Sequence, residues 1–154
     1  MDPESYMNEI VDPTIADFET NPTSRRHAFL ACVALFHTLD YLEFPKKPAI
    51  RRKRLRDERK RLRDESADFA SVDRVAHAFK HVASGHPNDP SNAPLRADEV
   101  IPRPPAFLGQ MVLSLSRLGD ATGGVTLNDD REVDVLATLK RAAAFMREKI
   151  KVTT

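Results

Sequence analysis

The segment from Ser71 to Gly85 constrains the fold of this chain more than any other part of its sequence. Apolar residues recur along it every three or four positions, which predicts an amphipathic helix with one buried face. The residues of this apolar stripe are Val72, Val75, Ala76, Phe79, Val82 and Ala83. A helix with such a stripe has to share a hydrophobic core with other elements, so the segment predicts a folded helical domain.

The opposite face of the same helix carries Arg74, His77 and His81. At about 100° per residue, their positions fall within roughly 60° of one another. Imidazole gives and takes protons near neutral pH, and the fork of an arginine suits phosphate. This set meets the needs of a metal-independent ribonuclease, in which His81 is the acid or base, His77 assists and Arg74 holds the phosphate. The alternative is an ordinary solvated helix face.

Two further segments have regular apolar stripes, at residues 23–42 and 130–151. Both begin at residues typical of helix caps. Before the last of them, residues 110–128 alternate apolar and polar side chains around a glycine-rich turn, which predicts a β-hairpin. With the helix at 68–84, these elements predict one mainly α domain over residues 1–154. Its architecture is an antiparallel helical bundle with a small β-hairpin inserted before the last helix.

Prolines mark the parts of the chain that are expected to be less regular. Residues 1–22 contain three prolines and indicate a loosely structured N-terminal segment, with at most a short helix from Pro13 to Thr20. Residues 85–109 contain six of the eleven prolines and predict a long Pro-rich loop. A loop of this length in a small domain is usually functional or disordered.

A tandem repeat forms most of a predicted basic helix at residues 49–65. The sequence RKRLRDE occupies Arg52–Glu58 and again Arg59–Glu65. Seven residues make about two helical turns, so Leu55 and Leu62 stay on one face. We expect a continuous, largely exposed helix that touches the domain, or another subunit, only through these leucines. Burying the charged side chains would cost more than one leucine's burial returns.

Positive charge is concentrated in this helix. The chain has a net charge of +1, but residues 51–65 contain nine Lys or Arg against four Asp or Glu. The basic side chains from Arg51 to Arg63 predict binding to RNA phosphates, with an affinity that falls steeply as salt rises. No aromatic residue interrupts the helix, so base stacking is not expected. The alternative is a solvated helix whose acidic and basic residues pair internally at i,i+3 and i,i+4.

Composition argues against several other classes of protein. No apolar run approaches the roughly 18 residues of a membrane span, so no membrane association is expected. Cys32 is the only cysteine and lies in an apolar run. It predicts a buried thiol, no intrachain disulfide and a cytoplasmic location. The acidic N-terminal residues are unlike the basic start of a signal peptide.

His77 and His81 also form an HxxxH pair, which can place two imidazoles on one metal ion. A metal site needs at least a third ligand. His37 or Asp40 would supply it only if the first long helix faced this one. No glycine-rich phosphate loop or CxxC pair is present in the sequence, and no cofactor is expected.

The segment from Arg74 to His81 is similar to the R-x(4–6)-H motif of the HEPN superfamily, with six residues between the arginine and the histidine. The resemblance covers residues 23–84 and the last helix, and extends to small bacterial members of the superfamily. It implies a helical bundle, a homodimer that brings two motifs together and, in active members, metal-independent RNA cleavage. Many members are inactive or only bind. Val75 departs from the pattern, because active members usually have a polar residue after the arginine. The alternative function is a non-catalytic protein-interaction module with a solvated basic helix.

Overall fold

The computed structural model describes residues 1–43, 48–86, 88–89, 92–107, 109–113, 116, 120, 122–127 and 133–153. The fold is mainly α, as the sequence predicts. Its helical elements are α1 (Pro3–Tyr6), a π-helical turn (Met7–Val11), α2 (Asp12–Thr20), α3 (Arg25–Glu43), α4 (Pro48–Glu65), α5 (Ala67–His81), a 3-10 turn (Ala97–Glu99) and α6 (Val135–Thr153). No helix in the described ranges combines the length and the apolar character needed to cross a membrane.

The hydrophobic core lies where α3, α5 and α6 pack against one another. These are the three helices whose apolar stripes the sequence shows. Leu35 of α3, Val75 of α5 and Met146 of α6 are almost completely buried in one cluster. Cys32 of α3 is fully buried as expected, and burial raises the pKa of its thiol.

The ends of two core helices differ from the sequence-based expectation. α5 begins directly after Ser66, whose side-chain oxygen caps its first turn. Val82 ends α5, because its φ of 68° is incompatible with a right-handed helix, so the helix predicted at 68–84 stops earlier. α6 begins at Val135, and residues 130–132 of its predicted range lie outside the described part of the chain.

The N-terminal segment 1–22 is not loosely structured, so that expectation was wrong, whereas the short helix expected from Pro13 to Thr20 is confirmed by α2. It is helical from Pro3 to Thr20, with a π-helical turn between α1 and α2. Its buried side chains belong to the same core: Tyr6, Met7, Val11, Ile15 and Phe18. Pro3 lies in the first turn of α1, where a proline removes no helical hydrogen bond. Pro13 follows the π-helical turn inside a continuous helical run, so neither proline ends the helical segment.

The described residues also contain two small antiparallel strand pairs. They are β1 (Ala83–Ser84) with β2 (Leu95–Arg96), and β3 (Val100–Arg103) with β4 (Gly124–Leu127). The sequence correctly predicts a small hairpin before the last helix. Its first strand, however, lies within the predicted Pro-rich loop 85–109 and not within 110–128. Pro102 is compatible with β3 because each strand of a two-stranded ladder is an edge strand.

Helix α4 is continuous, as expected for the predicted basic helix at 49–65. Leu62 is fully buried and Leu55 is partly buried against the core, so both leucines touch the domain as predicted. The expectation that only the leucines would do so was wrong. Arg59 and Arg63 also pack against α5, where they meet a buried carboxylate.

Candidate functional site

A buried carboxylate, Asp73, organises the polar contacts between α4 and α5. Its side chain has no solvent exposure, yet two arginines of α4 reach it. Arg59 Nε lies 2.9 Å and Arg63 Nη1 lies 3.2 Å from Asp73 Oδ2. The side chain of Arg63 is only 9% exposed, and its Nη2 also lies 3.4 Å from Asp89. The two helices therefore enclose an ion cluster that the sequence analysis did not find.

This cluster follows from the way α4 and α5 fold back on each other at Ser66. Arg59 lies seven residues before Ser66 and Asp73 lies seven residues after it, so a helix hairpin brings them to the same level. The sequence does contain one signal for the cluster. Asp73 lies beside Phe69 and Ala76 on the buried face, where an acidic residue is rarely found without a partner.

Asp73 remains ionised despite its burial. Burial raises the pKa of this carboxyl group, but the hydrogen bond from His77 and the positive charge of Arg59 lower it. The net result is a pKa below the ordinary value of an aspartate. The interior of the hairpin thus contains a permanent negative charge at neutral pH.

His77 lies one turn further along α5, and Asp73 fixes its ring. His77 Nδ1 lies 3.0 Å from the backbone carbonyl oxygen of Asp73 and 3.1 Å from its carboxylate Oδ1. Both oxygens can only accept hydrogen bonds, so we assign the proton to Nδ1 and leave Nε2 for other partners. The ring of Phe36 packs edge-on against the imidazole, with the ring centroids 4.9 Å apart.

His81 lies at the end of α5 with its side chain exposed. Its ring centroid is 6.1 Å from that of His77. His77 and His81, two of the residues predicted for the site, thus lie side by side on α5. One imidazole is held by a buried carboxylate, and its neighbour faces solvent.

Arg74, the third predicted residue, has a different surrounding. Its Nη2 donates a hydrogen bond to the carbonyl oxygen of Pro94, at 3.3 Å. Its own backbone carbonyl accepts from the hydroxyl of Ser84, at 2.9 Å. Arg74 therefore ties α5 to the residues around β1 and β2, and its guanidinium is engaged by the chain just before β2.

The residues considered as further metal ligands pair with each other. His37 Nδ1 lies 2.7 Å from Asp40 Oδ2 on α3. Within the described ranges, no three side chains of histidine, cysteine, aspartate or glutamate are grouped closely enough to hold a metal ion. The HxxxH pair of His77 and His81 thus has no third ligand among the described residues.

The two copies of the heptad have different surroundings. In the second copy, Arg59 and Arg63 bind Asp73, and Arg61 pairs with a glutamate on either side of it. In the first copy, the basic side chains are exposed, and the described part of the structure gives them no hydrogen bond or ion pair. These side chains are Arg52, Lys53, Arg54 and Arg56. The internal pairing expected of a solvated helix is therefore found only towards the C-terminal end of α4.

Comparison of the chain with protein-family models, with curated proteins and with solved structures finds no match in any of the three. The similarity to the HEPN motif thus rests on the residues themselves, from Arg74 to His81. The geometry of α4 and α5 is the strongest remaining indication of function.

Proposed function

We propose that this chain is an HEPN-like helical domain that binds RNA and cleaves it without a metal ion, in RNA processing or defence. The imidazole pair on α5 supports this proposal most directly. His77 is fixed by a buried carboxylate, and His81 lies beside it at the surface. The resemblance further implies a homodimer in which two such pairs share a cleft.

RNA cleavage of this kind needs two proton transfers. A base removes the proton of the ribose 2′-hydroxyl, and the oxygen then attacks the adjacent phosphorus atom. An acid protonates the 5′-oxygen as its bond to phosphorus breaks, which leaves a 2′,3′-cyclic phosphate and a 5′-hydroxyl. In the proposal, Nε2 of neutral His77 is the base, because Nδ1 already carries its proton. Protonated His81, which is exposed, is the acid.

The reaction also needs positive charge beside the phosphate, because negative charge develops there in the transition state. The sequence analysis assigned this role to Arg74. The guanidinium of Arg74 donates to the carbonyl of Pro94, so in the proposal this residue positions the chain around β2. The phosphate charge is then met by cations of α4, the helix that packs against α5.

A second candidate is a non-catalytic protein-interaction module. Phe79 is 50% exposed and Val82 is 71% exposed at the end of α5. The ring of Phe79 stacks on Phe29 of α3, which is itself buried, with centroids 4.8 Å apart. Exposed apolar side chains that lie close together can mark an interaction site. This candidate predicts partner binding that is independent of His77 and His81.

Incubation of the purified protein with mixed-sequence RNA in EDTA tests the proposed function. We expect fragments that end in 2′,3′-cyclic phosphate, and a rate at least about 100-fold lower for His77→Ala and for His81→Ala. His86→Ala is the matched control, because His86 is an exposed histidine outside the pair. Cleavage at the same rate by wild type and both variants would remove the imidazole pair from the mechanism. Failure of the wild-type protein to cleave would favour the interaction module.

A further inference from the structure

The two RKRLRDE copies are identical in sequence but opposite in their contacts. We propose that the first copy is a track for the phosphates of a single RNA strand, whereas the second copy holds α4 on the bundle. This inference rests on the proposed function, because it names the surface of the same site that binds the RNA backbone.

The second copy has no arginine left for a ligand. Arg59 and Arg63 point into the hairpin at Asp73, with side chains that are 25% and 9% exposed. Arg61 is paired with carboxylates on both sides along its own helix. Leu62 is fully buried. This copy is therefore a structural element that fixes α4 to α5.

The first copy meets a different part of α5. In the hairpin, residues of α4 further from Ser66 face residues of α5 further from it. Arg52 lies seven residues before Arg59, so its level on α5 is that of Lys80, seven residues after Asp73. By this count, the residue of α5 that corresponds to the buried Asp73 is Lys80, whose side chain is exposed. Like charges at this level repel each other, and an anionic ligand would relieve that repulsion.

Three cations of α4 to which the described part of the structure gives no partner form a row, two from the first copy and one, Lys60, from the start of the second. Arg52, Arg56 and Lys60 are spaced at i, i+4 and i+8, and all three side chains are exposed. Each step turns the helix by about 40° and advances it by about 6 Å, so the three charges stay on one side. Consecutive phosphates of an extended nucleic-acid strand repeat at a comparable distance. The row therefore matches a chain of regularly spaced anions better than a single anion.

This row passes beside the imidazole pair. Leu55 lies eleven residues before Ser66 and His77 eleven residues after it, so the hairpin places them at one level. Leu55 packs against the core, which keeps this turn of α4 beside the bundle. A strand bound by Arg52 and Arg56, which flank Leu55, would be led past the two imidazoles.

The composition of α4 favours a phosphate backbone over a membrane surface as the ligand. A helix that binds membranes needs a large apolar face for the acyl region, and the leucines of α4 face the bundle instead. The heptads contain no aromatic side chain on which bases could stack. The affinity should then depend on salt and hardly at all on base sequence.

Fluorescence anisotropy with a labelled 20-nucleotide RNA, measured over a series of salt concentrations, tests the inference. The variant is Arg52→Gln with Arg56→Gln. Loss of two phosphate contacts should reduce the slope of log affinity against log salt by about 1.4, which is roughly a 20-fold weaker affinity near 0.1 M salt. Thermal melting should change by no more than about 2 °C, because both side chains are exposed.

The matched control is Arg25→Gln with Arg26→Gln, which removes the same charge from two exposed arginines of α3. We expect this control to keep the wild-type slope. An equal loss in both double variants would show a general charge effect and overturn the inference.

Tighter binding to poly-glutamate, or to vesicles of phosphatidylcholine and phosphatidylserine, than to RNA would also overturn the inference. Wild-type RNA binding by the Arg52/Arg56 variant, with cleavage still lost in His77→Ala, would refute the track while the proposed function stands. If the wild-type protein binds RNA through the track without cleaving it, the track stands and the proposed cleavage is refuted.

Discussion

Replacement of Asp73 by asparagine is the sharpest test of the ion cluster between α4 and α5. The substitution keeps the shape of the side chain and removes its charge. Arg63 and Arg59 then lose the carboxylate that they share. Their side chains are only 9% and 25% exposed, so two cations remain in a largely buried place. Removal of one member of a buried pair typically costs about 3–5 kcal/mol, because the remaining charge loses its close partner. Arg63 would keep only its longer contact with Asp89, at 3.4 Å.

Urea unfolding followed by circular dichroism measures this cost. For a domain of this size, the expected loss corresponds to a fall of roughly 6–20 °C in the melting temperature. Asp68→Asn is the matched control, because Asp68 pairs with Arg141 at 2.8 Å on the surface. Surface pairs contribute about 0–1 kcal/mol, so the control should lose little stability.

A second substitution separates the orphaned charge from other effects. Addition of Arg63→Met to Asp73→Asn removes the more deeply buried cation, and the double variant should be more stable than Asp73→Asn alone. A loss below about 1 kcal/mol for Asp73→Asn, or one no larger than that of Asp68→Asn, would refute the reasoning. So would a double variant less stable than the single one.

Three further predictions concern pH and chain length. The pKa of Asp73 is lower in the folded protein than in the unfolded chain. Its contribution to stability is therefore complete above about pH 4 and is lost as the pH falls through the folded pKa. The melting temperature of the wild type, measured over a series of acidic pH values, should show this loss, and that of Asp73→Asn should not. Burial, together with the nearby negative charges of ionised Tyr41 and Asp40, raises the pKa of Tyr6 to about 12. The contribution of neutral Tyr6 to stability is therefore complete below about pH 10 and is lost as the pH rises above it. In Tyr6→Phe the melting temperature should not show this loss at alkaline pH. Deletion of one heptad should lower the melting temperature by less than about 8 °C, and a larger fall would show that both copies belong to the core.

The long helices could be predicted from the sequence because their signal is local. The apolar periodicity of α3, α5 and α6 is visible within each segment, and the same is true of the continuous helix α4. In the N-terminal segment only the short helix from Pro13 to Thr20 was expected, and α1 with the π-helical turn was missed. Proline is common both in loops and in the first turn of a helix, so Pro3 alone does not distinguish the two cases. The first strand of the hairpin was missed because its sequence, VIPR, contains a proline and its partner lies more than twenty residues away.

In the candidate site, too, the local features could be predicted from the sequence and the contacts between elements could not. The proximity of His77 and His81 is a local property of one helix, and the sequence predicted it correctly. The partner of His77 is Asp73, also one turn away, but the role of that carboxylate depends on Arg59 from another helix. The contact of Arg74 with Pro94 depends on the path of a loop that no periodic pattern describes.

The duplicated heptad shows why such non-local contacts decide function. The expectation that α4 would touch the domain only through leucines assumed that burial of its charges is always costly. That assumption holds for an unpaired arginine, but it fails for Arg63, because Asp73 supplies a carboxylate in the same buried place. Seven residues earlier, the arginines of the same sequence are exposed, and the described part of the structure gives them no carboxylate partner. The repeat therefore predicts two similar segments of one helix. Their different roles depend on the residues that α5 places beside them, because Asp73 pairs with the arginines of the second copy.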